Sequence, residues 1–398
     1  MIIAAFKPGR VASVDIFRAL IMLLMIFVND MAGLANIPEW LKHTAADYDG
    51  MGLSDVVFPA FLFIVGLSIP HAIRARMAKG ESRLQIAGHI GLRSLALIVM
   101  GFFLVNLESI SREGLLISRH GYGILLTLAF FLIWNLYPKP TIAGKIKTSW
   151  LQGAGIALLI LLAFLYKGGT PENPEWMKPH WWGILGLIGW AYLVSALITL
   201  FAGNRFWLIA LALLLFNFLN FAEFSPLVEN LPSFKLVISA SNYTLVMAGV
   251  FTSAMFDRIP PLREKAWIYA GLLIFLAVIF ATYGFDVRPL GGISKIKATP
   301  SWTALCTAIS MGLYALLFII ADKFKFTKWA DPISPAGKST LTCYLLPYLV
   351  YPAMALAGVS WPALLSSGVP GLLRSFLFAL LIVWLTGLLG KIAVRLKI

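Results

Sequence analysis

The sequence predicts an all-α polytopic membrane protein, and three observations carry that prediction. Hydrophobic residues fill 60% of the 398 positions while charged residues fill 13%, where soluble domains carry about 25% charged residues. The mean hydropathy is +0.85. The apolar positions fall in continuous runs of about 20 residues, the length one helix needs to cross a hydrocarbon core. They lack the alternation of an outer-membrane barrel.

Hydropathy and helix breakers place twelve spans, near residues 12–31, 52–72, 86–106, 119–137, 149–166, 182–202, 205–221, 236–256, 266–285, 301–321, 339–358 and 370–391. The expected architecture is about 11–12 transmembrane helices in one bundle, with residues 1–398 as a single transmembrane domain. Lys7 and Arg10 precede the first run as in a signal peptide, but Asp15 and Arg18 interrupt it and no small-residue cleavage pattern follows. A retained first span is expected. The sixth and seventh spans are separated only by Gly203-Asn204-Arg205, which predicts a helical hairpin. No internal repeat, soluble domain or low-complexity linker is evident.

Charge orients the bundle. With the N-terminus in the cytoplasm, Lys and Arg divide 20 to 9 in favour of the cytoplasmic loops, with Arg18, Arg93 and Arg374 inside spans. That bias is the positive-inside rule. It places both termini in the cytoplasm and the loop after the first span outside it. The same bias accounts for the net charge of +14 without nucleic acid, since no basic tract is interleaved with aromatics. Connections on the far side are longer and rich in Pro, Trp and Asn, as in the runs Tyr166–Trp182 and Phe285–Trp302. Their Trp residues are interfacial anchors first; Trp181 and Trp182 can also stack on sugar rings.

The two cysteines, Cys306 and Cys343, lie inside apolar runs and read as packed thiols, with no disulfide framework or metal cluster. His71 and His89 lie at cytoplasmic edges; His43, His120 and His180 fall on the other side, none near another in sequence. No metal is expected.

Charges within spans usually face protein or water. Asp15 and Arg18 are three apart and share a helix face, so they read as an ion pair near the interface or as a site where Arg18 holds an anionic cofactor. Arg93 and Arg374 lie near span ends, where each can snorkel or line a cavity. The stretch Phe27–Pro59 then concentrates the remaining polar chemistry. Asn29 ends the first span, His43 sits in the loop, and Asp55 stands just before Val56-Val57-Phe58-Pro59, where a carboxylate also suits a helix start. Together they supply a hydrogen-bond donor, a proton acceptor and an orienting carboxylate.

That combination resembles the heparan-α-glucosaminide N-acetyltransferase family of transmembrane acyltransferases, as a bacterial member. The resemblance begins at Ser13-Val14-Asp15-Ile16-Phe17-Arg18, similar to the family's SVDxFRG opening. It continues through Phe27-Val28-Asn29, Lys42-His43 and Leu53-Ser54-Asp55-Val56-Val57-Phe58-Pro59 into Phe61–Ile69. Later echoes such as Val246-Met247-Ala248-Gly249 are short. The resemblance implies a catalytic pair at His43 and Asn29 on the non-cytosolic side. It also implies acetyl-CoA used from the cytosol and an acetyl group delivered to a glucosamine amine. It leaves open an acetyl-histidine intermediate or direct transfer. Ala19 replaces the glycine of the opening motif, the Asn-to-His spacing of fourteen is longer, and Gly121–Leu126 lacks the Gln and Arg of the family's GVLQR-like stretch. The large lumenal domain of the lysosomal enzyme has no counterpart, so a bacterial inner membrane with the His43 loop facing the periplasm is expected.

The chemistry suits these residues independently. Acyl transfer to an amine needs a base, which histidine supplies near neutral pH. An Asn amide can meet developing negative charge on the carbonyl oxygen, and Asp55 can fix the imidazole tautomer. Coenzyme A phosphates call for cationic side chains, for which Arg18, Arg74, Arg76 and Arg93 are candidates. His120, His180, Trp181 and Trp182 are candidates for the sugar. Expected partners are acetyl-CoA, an extracytoplasmic sugar acceptor and the lipid bilayer, with a homodimer left open. Two other functions fit the same pattern: O-acyl transfer to a cell-surface or periplasmic glycan, and a twelve-span secondary transporter. The transporter fits less well because carboxylates are lacking at mid-span.

Overall fold

The computed structural model describes residues 11–111, 116–137, 147–170, 172–226, 236–258 and 265–398. Of the charges counted above, Lys7, Arg10, Arg112, Lys139, Lys145, Lys235 and Arg263 lie outside the described residues. The chain is helical almost throughout. The helices are α1 (Ala12–Met31), α2 (Leu53–Met77), α3 (Arg83–Glu108), α4 (Arg119–Trp134), α5 (Thr148–Leu165), α6 (Gly183–Ala202) and α7 (Phe206–Ala222). They continue as α8 (Ala240–Arg258), α9 (Ala266–Asp286), α10 (Pro300–Phe318), α11 (Ser334–Lys338), α12 (Thr340–Leu345), α13 (Pro347–Leu356) and α14 (Gly368–Lys391). The described strands form one short antiparallel ladder, Gly168–Gly169 against Pro174–Glu175.

A helical segment stands at each of the twelve expected places, and the protein is an all-α polytopic membrane protein. Among the described residues, eight helices are long and apolar enough to cross a bilayer by themselves. The others differ for visible reasons. Helices α4 and α7 are apolar but short, and the helical segment Lys328–Leu356 is bent by 75° between Lys338 and Thr340. Helix α8 carries Ser241, Asn242, Thr244, Thr252 and Ser253, all buried. It sits among other helices, chiefly α2, α7 and α6, where a polar side chain can bond to its own backbone, as Thr244 and Thr252 do.

Helices α1, α2, α8 and α10 form the interior. Sequence explains the closest approach. At Gly66 of α2 an added Cβ would run into the Val246 carbonyl, and at Gly249 of α8 into the Phe63 carbonyl. Glycine on both sides lets the backbones touch, the usual device where no hydrophobic effect drives helix association. Around this interior, α5 and α9 are mostly exposed, presenting Ile156, Ile160, Phe164, Phe275 and Ile279. Apolar outer faces of this kind match a hydrocarbon solvent. The α6–α7 hairpin is present, its turn made by Gly203 at φ 55°.

The first helix is tied at both ends. Asp322 accepts from the backbone N–H of Ala12 (2.8 Å) and Ser13 (3.1 Å), satisfying two of the orphan donors of its first turn. At the other end the buried Asp30 binds Arg374 of α14 (2.7 Å) and the Tyr351 hydroxyl of α13. The Arg374 guanidinium also lies 5.1 Å from the centre of the Trp361 ring.

Candidate active site

The loop between α1 and α2 folds back onto the start of α2. Leu41 accepts from the buried Ser54 hydroxyl (2.6 Å), and Gly52 sits where any Cβ would overlap the Lys42 carbonyl. This close passage brings His43 to Asp55. The imidazole Nδ1 lies 2.7 Å from Asp55 Oδ1, and Asp55 is 1% exposed while the His43 side chain is 42% exposed. The second oxygen, Oδ2, accepts from the backbone N–H of Gly52 (3.1 Å) and of Thr44 (3.1 Å), with the Thr44 hydroxyl at 3.0 Å. One carboxylate therefore does two jobs. It caps the first turn of α2, and it holds the imidazole through Nδ1. An unpaired buried carboxylate would be costly; this one has its acceptor sites engaged.

A residue from far along the chain completes the cluster. Lys295, in the connection between α9 and α10, places Nζ 3.2 Å from His43 Nδ1 and 3.9 Å from Asp55 Oδ1. Burial pushes the Lys295 ammonium below the usual lysine range, and the Asp55 carboxylate pulls the other way. Two loops are clamped together to make this meeting. Asp49 accepts from the Ile293 N–H (2.7 Å) and pairs with Arg288 (2.9 Å), Gly50 donates to the Ile293 carbonyl (3.0 Å), and the Ser294 hydroxyl donates to the Ala46 carbonyl (3.1 Å). The Ile293 N–H, followed by Arg288, holds Asp49 below the ordinary carboxylate range. The Trp302 indole donates to the Asp55 carbonyl (3.2 Å), fixing α10 to the same place.

Asn29 stands exposed at the end of α1, and no hydrogen bond joins it to His43 among the described residues. Asp30, about 100° further round the helix, takes the inward position. Sequence reasoning passed over both Asp30 and its pairing with Arg374, because an acid and a base 344 residues apart carry no local pattern.

The cationic candidates divide. Arg18 and Arg93 line one cavity of about 410 Å³ at the opposite end of the bundle, together with Lys338, Ser339 and Thr340 at the bend of Lys328–Leu356 and with Lys397. Arg18 is held there by Asp15 (3.1 Å), the expected pair, and by the Ser68 hydroxyl (2.6 Å); Arg93 lies over the Tyr192 ring. Arg76 lines an adjoining cavity of about 280 Å³ that shares Arg93 and Tyr192, and pairs with Glu81 (2.8 Å). Arg74 lines neither and lies 2.7 Å from His71 Nδ1. The larger cavity reaches Met25 and Phe61. By helix rise these lie about 6 Å and 9 Å short of Asn29 and Asp55.

The aromatic candidates also divide. Buried Asn106 holds the loop before α6 through the Lys178 carbonyl (2.8 Å) and N–H (3.0 Å). There His180, Trp181 and Arg119 approach the Glu108 carboxylate. Trp182 turns inward, its ring 5.5 Å from that of Trp190. His120 stands exposed on the first turn of α4. Cys306 and Cys343 are buried free thiols. Among the described residues no three His, Cys, Asp or Glu side chains are grouped to hold a metal.

No family model matches the chain. Two curated relatives do. The human protein named heparan-alpha-glucosaminide N-acetyltransferase is 39% identical over 100 residues, 25% of this chain and 14% of that one. The mouse protein of the same name is 39% identical over 202 residues, 45% of this chain and 30% of that one. The chain resembles this family. The match spans less than a third of the length of either relative.

Proposed function

We propose that this protein is a membrane-bound acetyltransferase that moves an acetyl group from cytoplasmic acetyl-CoA to the amine of an amino sugar on the extracytoplasmic side. The observation that carries the reading is the His43–Asp55 pair, an oriented imidazole with one exposed edge. The similarity to proteins named as N-acetyltransferases supports the reaction class, and the division of Lys and Arg supports the orientation.

The cationic cavity fits a polyphosphate nucleotide. Arg18, Arg93, Lys338 and Lys397 offer charge on its wall, and Met25, Phe61, Leu97 and Ile188 offer apolar surface for an arm running toward the dyad. Acetyl-CoA bound there supplies the acetyl group as a thioester. His43 Nε2 takes a proton from the attacking amine and returns one to the departing sulfur. Asp55 holds the Nδ1–H tautomer, and the Asn29 amide donates to the carbonyl oxygen as negative charge develops. His180 and Trp181 beside Glu108 are the side chains assigned to the sugar, with His120 and Trp182 flanking them. Residues 1–398 act as one transmembrane acyltransferase domain.

Sidedness tests this reading. Proteoliposomes holding acetyl-CoA on the side of the basic loops, with glucosamine outside, are expected to release CoA thiol inside and N-acetylglucosamine outside. Exchange of sugar without acetyl-CoA would instead indicate a transporter, and an ester product would indicate O-transfer.

A further inference from the structure

Lys295 has no assigned part in acyl transfer, yet it reaches the dyad from a loop 240 residues downstream of Asp55. Its Nζ lies 3.2 Å from His43 Nδ1 and 3.9 Å from Asp55 Oδ1, while Asp55 is 1% exposed. A buried carboxylate needs a counter-charge. Two groups can provide it: a protonated imidazole or the Lys295 ammonium. The charges facing the imidazole are few. Asp55 comes from α2 and Lys295 from the α9–α10 connection, with the buried Cys306 thiol behind both on α10. Within its own loop, Lys42 is paired with Glu39 and Asp49 with Arg288.

We propose that Lys295 is a positioning residue for His43: its ammonium balances Asp55, so the imidazole meets its substrate neutral. With the Nδ1 proton directed at Asp55, the ammonium sits beside the ring without sharing that proton. A cation so close opposes a second proton on the ring. The clamp through Asp49, Gly50, Ile293 and Ser294 serves to hold Lys295 in this place. The catalytic consequence rests on the acetyltransferase reading; the charge state of the ring does not.

Nitrogen-15 NMR of histidine-labelled protein in lipid bilayers tests the proposal, with His43 assigned by loss of its signals in His43→Gln. Near neutral pH the wild type is expected to show the widely separated nitrogen shifts of a neutral ring protonated on Nδ1. Lys295→Met is expected to show the converged shifts of imidazolium. Lys295→Arg, which keeps the charge, and Lys297→Met, exposed in the same loop, are expected to keep the neutral pattern. In the transfer assay Lys295→Met should lose about tenfold in rate near neutral pH, and Lys295→Arg should restore most of it. A neutral ring in Lys295→Met overturns the proposal, as does imidazolium in Lys295→Arg with the protein folded. Absence of acetyl transfer by the wild type would strike the acetyltransferase reading and leave the NMR result standing.

Discussion

Replacing Asp55 with Asn separates its two jobs. Three donors converge on Oδ2: the Gly52 and Thr44 N–H groups, both at 3.1 Å, and the Thr44 hydroxyl at 3.0 Å. They will hold the amide oxygen there, because turning the amide would set NH₂ against the two backbone N–H donors, the Thr44 hydroxyl being able to donate to the Gly50 carbonyl instead (3.1 Å). The NH₂ then faces His43 Nδ1 at the position where Oδ1 lay 2.7 Å away. Nδ1 must now accept, so the ring proton moves to Nε2 and the base is lost from the reacting side. A hydrogen bond to a charged group contributes about 1.5–3 kcal/mol, roughly 10- to 150-fold in rate. The wrong tautomer adds to this, and the same substitution in Ser-His-Asp sites costs about 10⁴ in kcat. For Asp55→Asn a fall in kcat of about 10²–10⁴ is expected. Because the helix cap survives, the variant should stay folded, its stability lower by about 1.5–3 kcal/mol for the lost charged contacts. CoA thiol release under saturating acetyl-CoA, beside a thermal unfolding scan, measures both. A folded variant with kcat within about threefold of wild type would refute the orienting role.

Two other substitutions probe the cavity and the packing. Arg18→Met and Arg93→Met should each raise the KM for acetyl-CoA by about tenfold with kcat little changed, as loss of uniform binding does, while Arg74→Met, off the cavity wall, should match wild type. Gly66→Val forces a side chain into the Val246 carbonyl and should destabilise the bundle by about 2–3 kcal/mol. Gly271→Ala, with open space around it, should be tolerated; unfolding midpoints in detergent compare the two.

Much of the fold is legible in the sequence because the bilayer imposes one period and one length on every crossing. Ala12–Met31, Leu53–Met77 and Arg83–Glu108 fall within a few residues of the expected spans. What hydropathy could not register is how the span at 236–256 covers its polar side chains, the Ser and Thr residues of helix α8 being buried against neighbouring helices, and the bend at Lys338-Ser339-Thr340, whose residues line a cavity. The site divides the same way. His43, Asp55, Arg18 and Arg93 are readable because their chemistry is rare in an apolar chain. Lys295 is not, since a lysine in Gly-Gly-Ile-Ser-Lys-Ile-Lys looks like any loop charge until Asp49 ties that loop to the one bearing His43. Asp30 escaped notice for a similar reason: its partner Arg374 lies on the last helix.

The central claim is that His43 is the base for acetyl transfer. Purified wild-type protein and His43→Ala, matched for thermal stability, are incubated with acetyl-CoA and glucosamine, and the acetylated sugar is quantified by mass spectrometry. The account predicts an amide product with wild type and a fall of about 10³-fold or more with His43→Ala. Equal product from both proteins would contradict it.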